Sequence, residues 1–240
     1  MIKKHYEHGL LTLTFARPER RNAINLAMYE QLSNAIDHAP EDCHSILLTG
    51  SGGHFTAGND IHDFAHFRQP QANNPALDFL RSLVNTDIPV IAAVQGHAVG
   101  IGVTLLLHCD FVYADSDTVF SLPFVSLGLC PEGGTTILLE ALVGRRRASA
   151  WLLQGQSFTA QEALEAQLLN AVSANGTSLD EALACSARLA AQPLQALRLS
   201  KRMLREPGRP ALLRAIEQEV AFFIERLESP EATQALARFL

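Results

Sequence analysis

Two glycine-containing segments have the composition of loops that bring backbone close to a ligand. The first runs from Thr49 through a glycine loop to Asn59 and Asp60, and the second runs from Val94 through the stretch GHAVGIG at residues 96–102 into an apolar region. Glycine lets a backbone approach a ligand closely and aim free N–H groups at it. One N–H group from each segment can form an oxyanion hole, whereas simple tight turns are the alternative interpretation.

A third segment places one carboxylate in apolar surroundings. Glu132 lies within residues 120–136 and is followed by two glycines and a predicted helix. Burial there raises the pKa of a carboxyl and favours proton transfer near neutral pH, although a helix starting at Gly133 would favour the anion. The residue is therefore either a general acid–base group or an exposed helix cap.

Motifs for several other chemistries are absent from the sequence. It contains no phosphate-binding loop, no dinucleotide fingerprint and no nucleophile elbow. His54, His62 and His66 form a cluster, but no HExxH motif surrounds them, so we expect no metal ligation. The four cysteines lie too far apart in sequence for a CxxC pair, which predicts free thiols.

The elements that position these segments change along the chain. Short apolar runs at residues 46–49, 90–94 and 111–113 predict strands covered on both faces, and residues 11–15 alternate like a half-buried strand. Between these runs, apolar residues recur at the spacing of a helix. After about residue 133 the strand signals stop, and Thr159 and Ser178 each begin a predicted capping box. The sequence thus predicts an α/β body followed by helices.

The last part of the chain contains an unusually apolar helical stretch. It includes Val220, Phe222, Phe223, Ile224 and Leu227. Such a surface needs cover from the body of the protein or from a partner subunit. We expect Phe222, Phe223 and Leu227 to contribute to an interface between subunits.

Composition excludes some classes of partner. Hydrophobic residues make up 48% of the chain, and its net charge of −6 argues against nucleic acid as a partner. No apolar run approaches the roughly 20 residues of a membrane-spanning helix, so we expect no membrane partner. Residues 1–7 do not read as a secretory signal, and residues 238–240 are not a peroxisomal signal. We therefore expect a cytoplasmic protein.

Taken together, the motifs resemble the crotonase superfamily, also called the enoyl-CoA hydratase/isomerase family. FARPERRNAIN at residues 15–25 resembles its first CoA-contacting loop, FTAGNDI at 55–61 its second, and GHAVGIG at 96–102 its third. Cys109 and Asp110, then Phe120, Pro123, Gly128 and PEGG at 131–134, continue the pattern at matching separations. The resemblance covers nearly the whole chain.

This resemblance implies a fold and an assembly. The expected fold is α/β, a ClpP-like crotonase spiral of repeated ββα units over residues 1–190, with a helical C-terminal trimerisation region over residues 191–240. The family binds acyl-CoA thioesters as substrates and uses no metal or redox cofactor. A homotrimer or a dimer of trimers is the implied assembly.

The resemblance also implies roles for individual residues. Glu132 would be catalytic, and the backbone N–H groups of Asn59 and Ile101 would form the oxyanion hole. The CoA and acyl groups would contact Arg20, Arg21, Ala23, Ala57, Gly58, Asp60, Ile61, Gly100, Leu122, Phe124, Leu127 and Leu129.

Two positions distinguish among the reactions of the family. Its hydratases carry two glutamates where this sequence has Thr104 and Phe124, and neither residue can act as a base. The stretches TAGND at 56–60 and PEG at 131–133 instead resemble the Δ3,Δ2-enoyl-CoA isomerase branch, whose PEG glutamate corresponds to Glu132. The resemblance predicts isomerisation of 3-enoyl-CoA to trans-2-enoyl-CoA, with Glu132 as base and then acid. The alternatives are another crotonase-type enzyme (a hydratase, hydrolase or decarboxylase) and a non-catalytic CoA-binding subunit.

Overall fold

The computed structural model describes residues 1–64 and 74–238 of the 240-residue chain. The strands in these ranges are β1 (Ile2–Glu7), β2 (Leu10–Phe15), β3 (Ser45–Gly50), β4 (Val90–Val94), β5 (His97–Val99), β6 (Phe111–Asp115), β7 (Val119–Ser121), β8 (Phe158–Thr159) and β9 (Ala171–Ser173). The helices are α1 (Leu26–Asp37), α2 (Pro75–Asn85), α3 (Ile101–Thr104), α4 (Thr135–Val143), α5 (Arg145–Leu153), α6 (Ala160–Glu165), α7 (Ser178–Ala190), α8 (Leu194–Arg205), α9 (Arg209–Leu227) and α10 (Pro230–Leu236).

Two sheets form the body of the protein. The larger has the strand order β1-β2-β3-β4-β6-β9 and is parallel except for the β1–β2 pair. The smaller has the order β5-β7-β8. Strands β3 and β4 are buried along their whole length, and apolar side chains pack on both faces, as their continuous apolar sequence predicts.

The chain alternates between the two sheets as it advances. After β4 in the larger sheet it enters β5 in the smaller one, and β6 is followed by β7 in the same way. An isolated bridge pairs Thr56, beyond β3, with Ala98 of β5 and so extends the pattern to a third turn. Helices α2, α3 and α4 follow these turns. This arrangement is the predicted spiral of ββα units, and it brings the connections after β3, β5 and β7 together.

Two predictions for the second half of the chain are wrong in detail. Strands do not stop near residue 133, because β8 pairs with β7 and β9 pairs with β6. Thr159 makes the predicted capping box, but Ser178 does not cap α7. The carboxylate of Asp115 at the end of β6 instead accepts the N–H of Ser178 over 2.9 Å. A cap from a distant strand leaves no local signal in the sequence.

The C-terminal helices fold back onto the body. Phe223 and Leu227 are buried within the chain, and the ring of Phe223 meets that of Phe64 edge to face with centroids 5.9 Å apart. The prediction that these two residues require a partner subunit is therefore wrong, whereas Phe222 remains 51% exposed. The boundary at residue 190 stays a prediction. In the described ranges, no helix combines the length and apolar character needed to cross a membrane.

Candidate active site

Glu132 is a buried carboxylate in the connection between β7 and α4. Its residue is only 7% exposed, and Thr104 at the end of α3 donates its hydroxyl hydrogen to Glu132 Oε1 over 2.8 Å. Burial raises the pKa of Glu132 to about 8, the bond from Thr104 works in the opposite direction, and the negative charge of Glu219 adds to the rise. A carboxyl with this pKa exchanges protons readily near neutral pH.

The turn that carries Glu132 is built from two glycines. Gly133 and Gly134 have φ values of +75° and +77°, in the left-handed region that favours glycine. Behind them, Nε2 of the buried His108 lies 2.7 Å from the carbonyl oxygen of Gly133 and donates to it. Burial lowers the pKa of His108 to about 4, so the imidazole is neutral. The turn is thus held by a group that carries no charge.

The helix-cap interpretation of Glu132 is wrong. Helix α4 begins at Thr135, with Gly134 as its N-cap, and the Glu132 carboxylate bonds to Thr104 instead. The N–H groups at the start of α4 are capped by Glu219 of α9, which accepts the N–H of Gly134 over 2.6 Å. Glu132 is therefore available for chemistry in the cavity.

Two backbone N–H groups converge on the same cavity. Asn59 and Ile101 both line it together with the carboxylate. Within the described residues, neither of their N–H groups donates to a protein acceptor, whereas the neighbouring N–H groups of Asp60 and Gly100 are both bonded within the fold. Unpaired N–H groups in a cavity are available to an oxygen of a ligand.

Close contact between two loops positions these N–H groups. Gly58 has φ +93°, and a Cβ built on it would lie 2.8 Å from the carbonyl oxygen of Val99. Gly100, which precedes α3, has φ +55° and ψ −116°, a conformation that other residues rarely adopt. Side-chain support comes from Tyr29 of α1, whose hydroxyl donates to Asn59 Oδ1 over 2.5 Å. The glycine loops and α1 together fix the backbone at Asn59 and Ile101, the predicted oxyanion site.

The cavity consists of two adjoining pockets that share Asn59, Ile101 and Phe223. The first, of about 40 Å³, contains Glu132 and is otherwise bordered mainly by apolar side chains, among them Leu77, Leu80, Val220 and Ile224. The second, of about 70 Å³, is bordered by residues 57–59, Ile61, Phe64, residues 99–101, Pro123, Phe124, Leu127 and Leu129. No lysine or arginine is among the described lining residues of either pocket.

A wider cleft of about 610 Å³ lies near the ends of α1 and α2, beside α8. Its two arginines already have partners: Arg202 bonds to Asp87, and Arg198 donates to the carbonyl oxygens of Glu41 and Cys43. We place the active site in the smaller cavity because an acid–base group and unpaired N–H groups meet there.

The two loops predicted to contact CoA lie side by side. Ala57 N–H donates to the Arg21 carbonyl oxygen, and Arg17 forms an ion pair with Asp60 over 2.6 Å. Arg17 also donates to the Ala23 carbonyl oxygen. The paired Arg17 thus ties the first loop to the second.

Most of the predicted acyl-contacting residues border the cavity, but Leu122 does not. It is fully buried in the core and lines neither pocket. Arg20 and Arg21 are exposed, at the surface of the first loop. Of the predicted histidine cluster, His62 bonds to Asp60, His54 lies against His97, and His66 falls outside the described residues.

Sequence reasoning missed three residues that support the site: Tyr29, His108 and Glu219. Tyr29 and His108 occupy positions that read as ordinary core, since each lies among apolar neighbours. Glu219 could have been found from the sequence. It lies three positions after Ile216 and four before Phe223, and this spacing places an acidic residue on the buried side of α9.

A family comparison agrees with this geometry. The family model described as enoyl-CoA hydratase/isomerase matches residues 5–240. The chain belongs to this family. The crotonase fold is likewise supported by the structure of Pseudomonas aeruginosa OdaA, which superposes with a TM-score of 0.95 at 38% identity and covers 100% of this chain and 98% of that one.

Relatives within the enoyl-CoA hydratase/isomerase family are named for different reactions. Human enoyl-CoA delta isomerase 2 is 34% identical over 98% of this chain, which spans 61% of that protein's length. The 2,3-dehydroadipyl-CoA hydratase of Escherichia coli is 33% identical over 98% of this chain and 93% of its own. The comparisons therefore support an enzyme of this family, with both isomerases and hydratases among its relatives.

Proposed function

We propose that the protein isomerises 3-enoyl-CoA to trans-2-enoyl-CoA, using Glu132 as a single proton shuttle. The observation that carries the proposal is that the described lining of the cavity contributes a single carboxylate, which is buried. Among the described lining residues of the cavity, Glu132 alone can act as a carboxylate base. Thr104, which stands where the family's hydratases carry a glutamate, donates its hydroxyl hydrogen to Glu132 instead of activating water.

The proposed reaction moves one proton and two electron pairs. Glu132 removes a proton from C2, the C2–H electrons form a C1–C2 double bond, and negative charge develops on the thioester oxygen. The N–H groups of Asn59 and Ile101 stabilise that oxygen, and such donors contribute most where charge develops. The C3–C4 π electrons then take the proton from Glu132 to form the C4–H bond, the C1–C2 π electrons shift to the 2,3 position, and the oxygen re-forms the thioester carbonyl. Acid and base are the same group, so the carboxylate is regenerated.

The proposed substrate is an acyl-CoA with a neutral acyl chain. Leu77, Leu80, Val220 and Ile224 give the pocket beside Glu132 an apolar lining, and a carboxylate at the far end of an acyl chain would need a cationic partner. Arg20 and Arg21, exposed on the first loop, are available for the phosphates of CoA.

The proposal also covers the need for a cofactor, the assembly of the protein and its location. The shuttle itself needs no metal or redox cofactor, because a carboxyl group performs both proton transfers. A homotrimer or dimer of trimers remains a prediction from the family resemblance, and a cytoplasmic location remains a prediction from the sequence. The exposed Phe222 is a candidate contact between subunits.

The test is a direct assay of the purified protein with a 3-enoyl-CoA, followed by absorbance of the conjugated product. We expect turnover, and we expect Glu132→Gln to lower it by about 10²–10⁴, the usual cost of losing a general acid–base group. CoA thioester binding should be retained. Glu140→Gln is the matched control, since Glu140 is an exposed residue of α4 paired with Arg145.

The outcomes separate the candidate functions. A Glu132→Gln protein that keeps more than half of the original rate would remove Glu132 from the mechanism. Water addition to a 2-enoyl-CoA, without isomerisation, would favour the hydratase reaction for which the Escherichia coli relative is named. Release of free thiol would indicate a hydrolase, and CoA binding without turnover would indicate a binding subunit.

A further inference from the structure

Glu219 is a buried acid outside the substrate cavity that bonds directly to the catalytic turn. Its residue is 6% exposed. Oε2 accepts the N–H of Gly134 over 2.6 Å, and Oε1 accepts both the N–H of Thr136, over 3.1 Å, and the Thr136 hydroxyl hydrogen. One side chain of α9 thereby satisfies two N–H groups at the beginning of α4.

A carboxylate at this position has a cost that packing alone does not explain. Glu219 lies on the side of α9 that also buries Ile216 and Phe223, where an apolar residue would pack without desolvating a charge. Burial raises the pKa of Glu219, but three donors and the positive end of α4 favour its anion. Because both oxygens accept from N–H groups, the ionised form fits the contacts.

The bonded N–H groups, those of Gly134 and Thr136, lie two and four residues after Glu132 in the chain. Gly134 leaves no space between the turn and α9, since a Cβ on it would lie 2.4 Å from Leu212 Cδ1. Movement of Glu219 would therefore be passed to the turn and to the carboxylate of Glu132. The charge of Glu219 also acts on Glu132 directly.

We propose that Glu219 is a positioning residue for the isomerase reaction: its bonds to Gly134 and Thr136 fix the turn that carries Glu132, and its carboxylate places negative charge behind that turn. This inference rests on the proposed function, because it assigns Glu219 a task in proton transfer by Glu132. The Thr104 hydroxyl from α3 bonds to Glu132, and the titratable groups whose charges act on Glu132 or respond to it are the Tyr29 phenol from α1, the Cys130 thiol and the Glu219 carboxylate from α9. The neutral His108 donates to the Gly133 carbonyl oxygen and has no hydrogen bond to Glu132 among the described residues.

Two substitutions separate charge from position. Glu219→Gln removes the charge and retains only one acceptor oxygen, so both the charge near Glu132 and the position of the turn should change. Glu219→Asp keeps the charge but shortens the side chain by one methylene, so only the geometry should change. Glu217→Gln is the matched control, because Glu217 is an exposed residue of the same helix paired with Arg81. Melting temperature, kcat, KM and the pH profile of kcat/KM are measured for each protein.

We expect distinct signatures. Removing a nearby like charge makes Glu132 easier to ionise, so Glu219→Gln should move the acid limb of kcat/KM down by about one pH unit. Misplacement of the base should lower its kcat on the high-pH plateau by up to about 100-fold with little change in KM. Glu219→Asp should lower kcat and leave the acid limb in place, and Glu217→Gln should match the original protein.

Two results would overturn the inference. One is a Glu219→Gln protein with an unchanged acid limb, whatever its melting temperature, since a merely structural role predicts lower stability alone. The other is a Glu219→Asp protein that retains full kcat.

Carboxyl titration by NMR tests the charge effect without turnover. Protein labelled with ¹³C in its glutamate carboxyl groups is titrated, and the Glu132 signal is assigned by its loss in Glu132→Gln. A lower pKa of Glu132 in Glu219→Gln supports the charge effect even if the original protein fails to isomerise 3-enoyl-CoA, which would refute only the proposed function. An unchanged Glu132 pKa refutes the charge effect even in an active isomerase.

Discussion

Replacing Thr104 by valine tests how the pKa of Glu132, the proposed catalytic carboxylate, is set. Valine keeps the shape of the side chain but removes the hydroxyl that donates to Glu132 Oε1 over 2.8 Å. A hydrogen bond to a charged group contributes about 1.5–3 kcal/mol, which corresponds to about one to two pKa units. Since that bond stabilises the anion, its loss should raise the pKa of Glu132 from about 8 to about 9–10.

The consequence for activity depends on pH. The base must be ionised to accept the C2 proton, so the acid limb of kcat/KM should move upward by the same one to two units, roughly. Near pH 7.5 the ionised fraction, and with it kcat/KM, should fall by roughly 10- to 80-fold, and the loss should shrink as the pH rises. Initial rates of absorbance change across a pH series provide the measurement.

Thr118→Val is the control for this experiment. Thr118 is equally buried, and its hydroxyl donates to the Val94 carbonyl oxygen away from the catalytic cavity. Its substitution should leave the pH profile unchanged. A Thr104→Val protein whose acid limb stays in place, or whose loss of rate is the same at every pH, would refute the argument that Thr104 tunes Glu132.

Three other substitutions test the supports of the site. Tyr29→Phe removes the hydroxyl bond to Asn59 and should lower kcat roughly threefold to tenfold with little change in melting temperature; an unchanged kcat would count against this support. Gly58→Ala places a methyl group 2.8 Å from a carbonyl oxygen in the adjoining loop and should abolish most turnover, so full activity would contradict the close loop contact. Asp110→Ala leaves the buried Lys201 without its carboxylate partner and should reduce unfolding free energy by about 3–5 kcal/mol in urea titrations; a loss below about 1 kcal/mol would show that the pair is dispensable.

Local features of the fold were predictable because they depend on neighbouring residues. The alternation in β2 buries Leu11, Leu13 and Phe15, and Thr159 makes its capping box with Glu162. Ser229 caps α10, whose first residue is a proline. In each case the residues that determine the structure lie within a few positions of one another.

Features that depend on distant residues could not be predicted in the same way. Asp115 caps α7 and Glu219 caps α4, and neither carboxylate is near its helix in sequence. Strand β9 has only three residues and owes its place to pairing with β6. Predicting such contacts requires knowing which elements meet in the fold, and the spacing of apolar residues along the chain does not contain that information.

The candidate site contains features of both kinds, some predictable from neighbouring residues and some dependent on distant ones. Family motifs identified Glu132 and the two loops with unpaired N–H groups, because close backbone approach requires glycines at particular positions. The acyl-pocket assignments depended on which way side chains point, which is why Leu122 was included although it lies in the core. The same uncertainty led us to expect that Phe223 was covered by another subunit.

The wall that α9 contributes to the cavity also bears on the order of events in biosynthesis. A growing chain leaves the ribosome N-terminus first, so Glu132 emerges before the helix that carries Glu219 and Phe223. Without α9 the cavity lacks the wall formed by Val220, Phe223 and Ile224, and the start of α4 lacks the carboxylate of Glu219. The proposed site is therefore complete only in a chain that has been synthesised beyond Ile224.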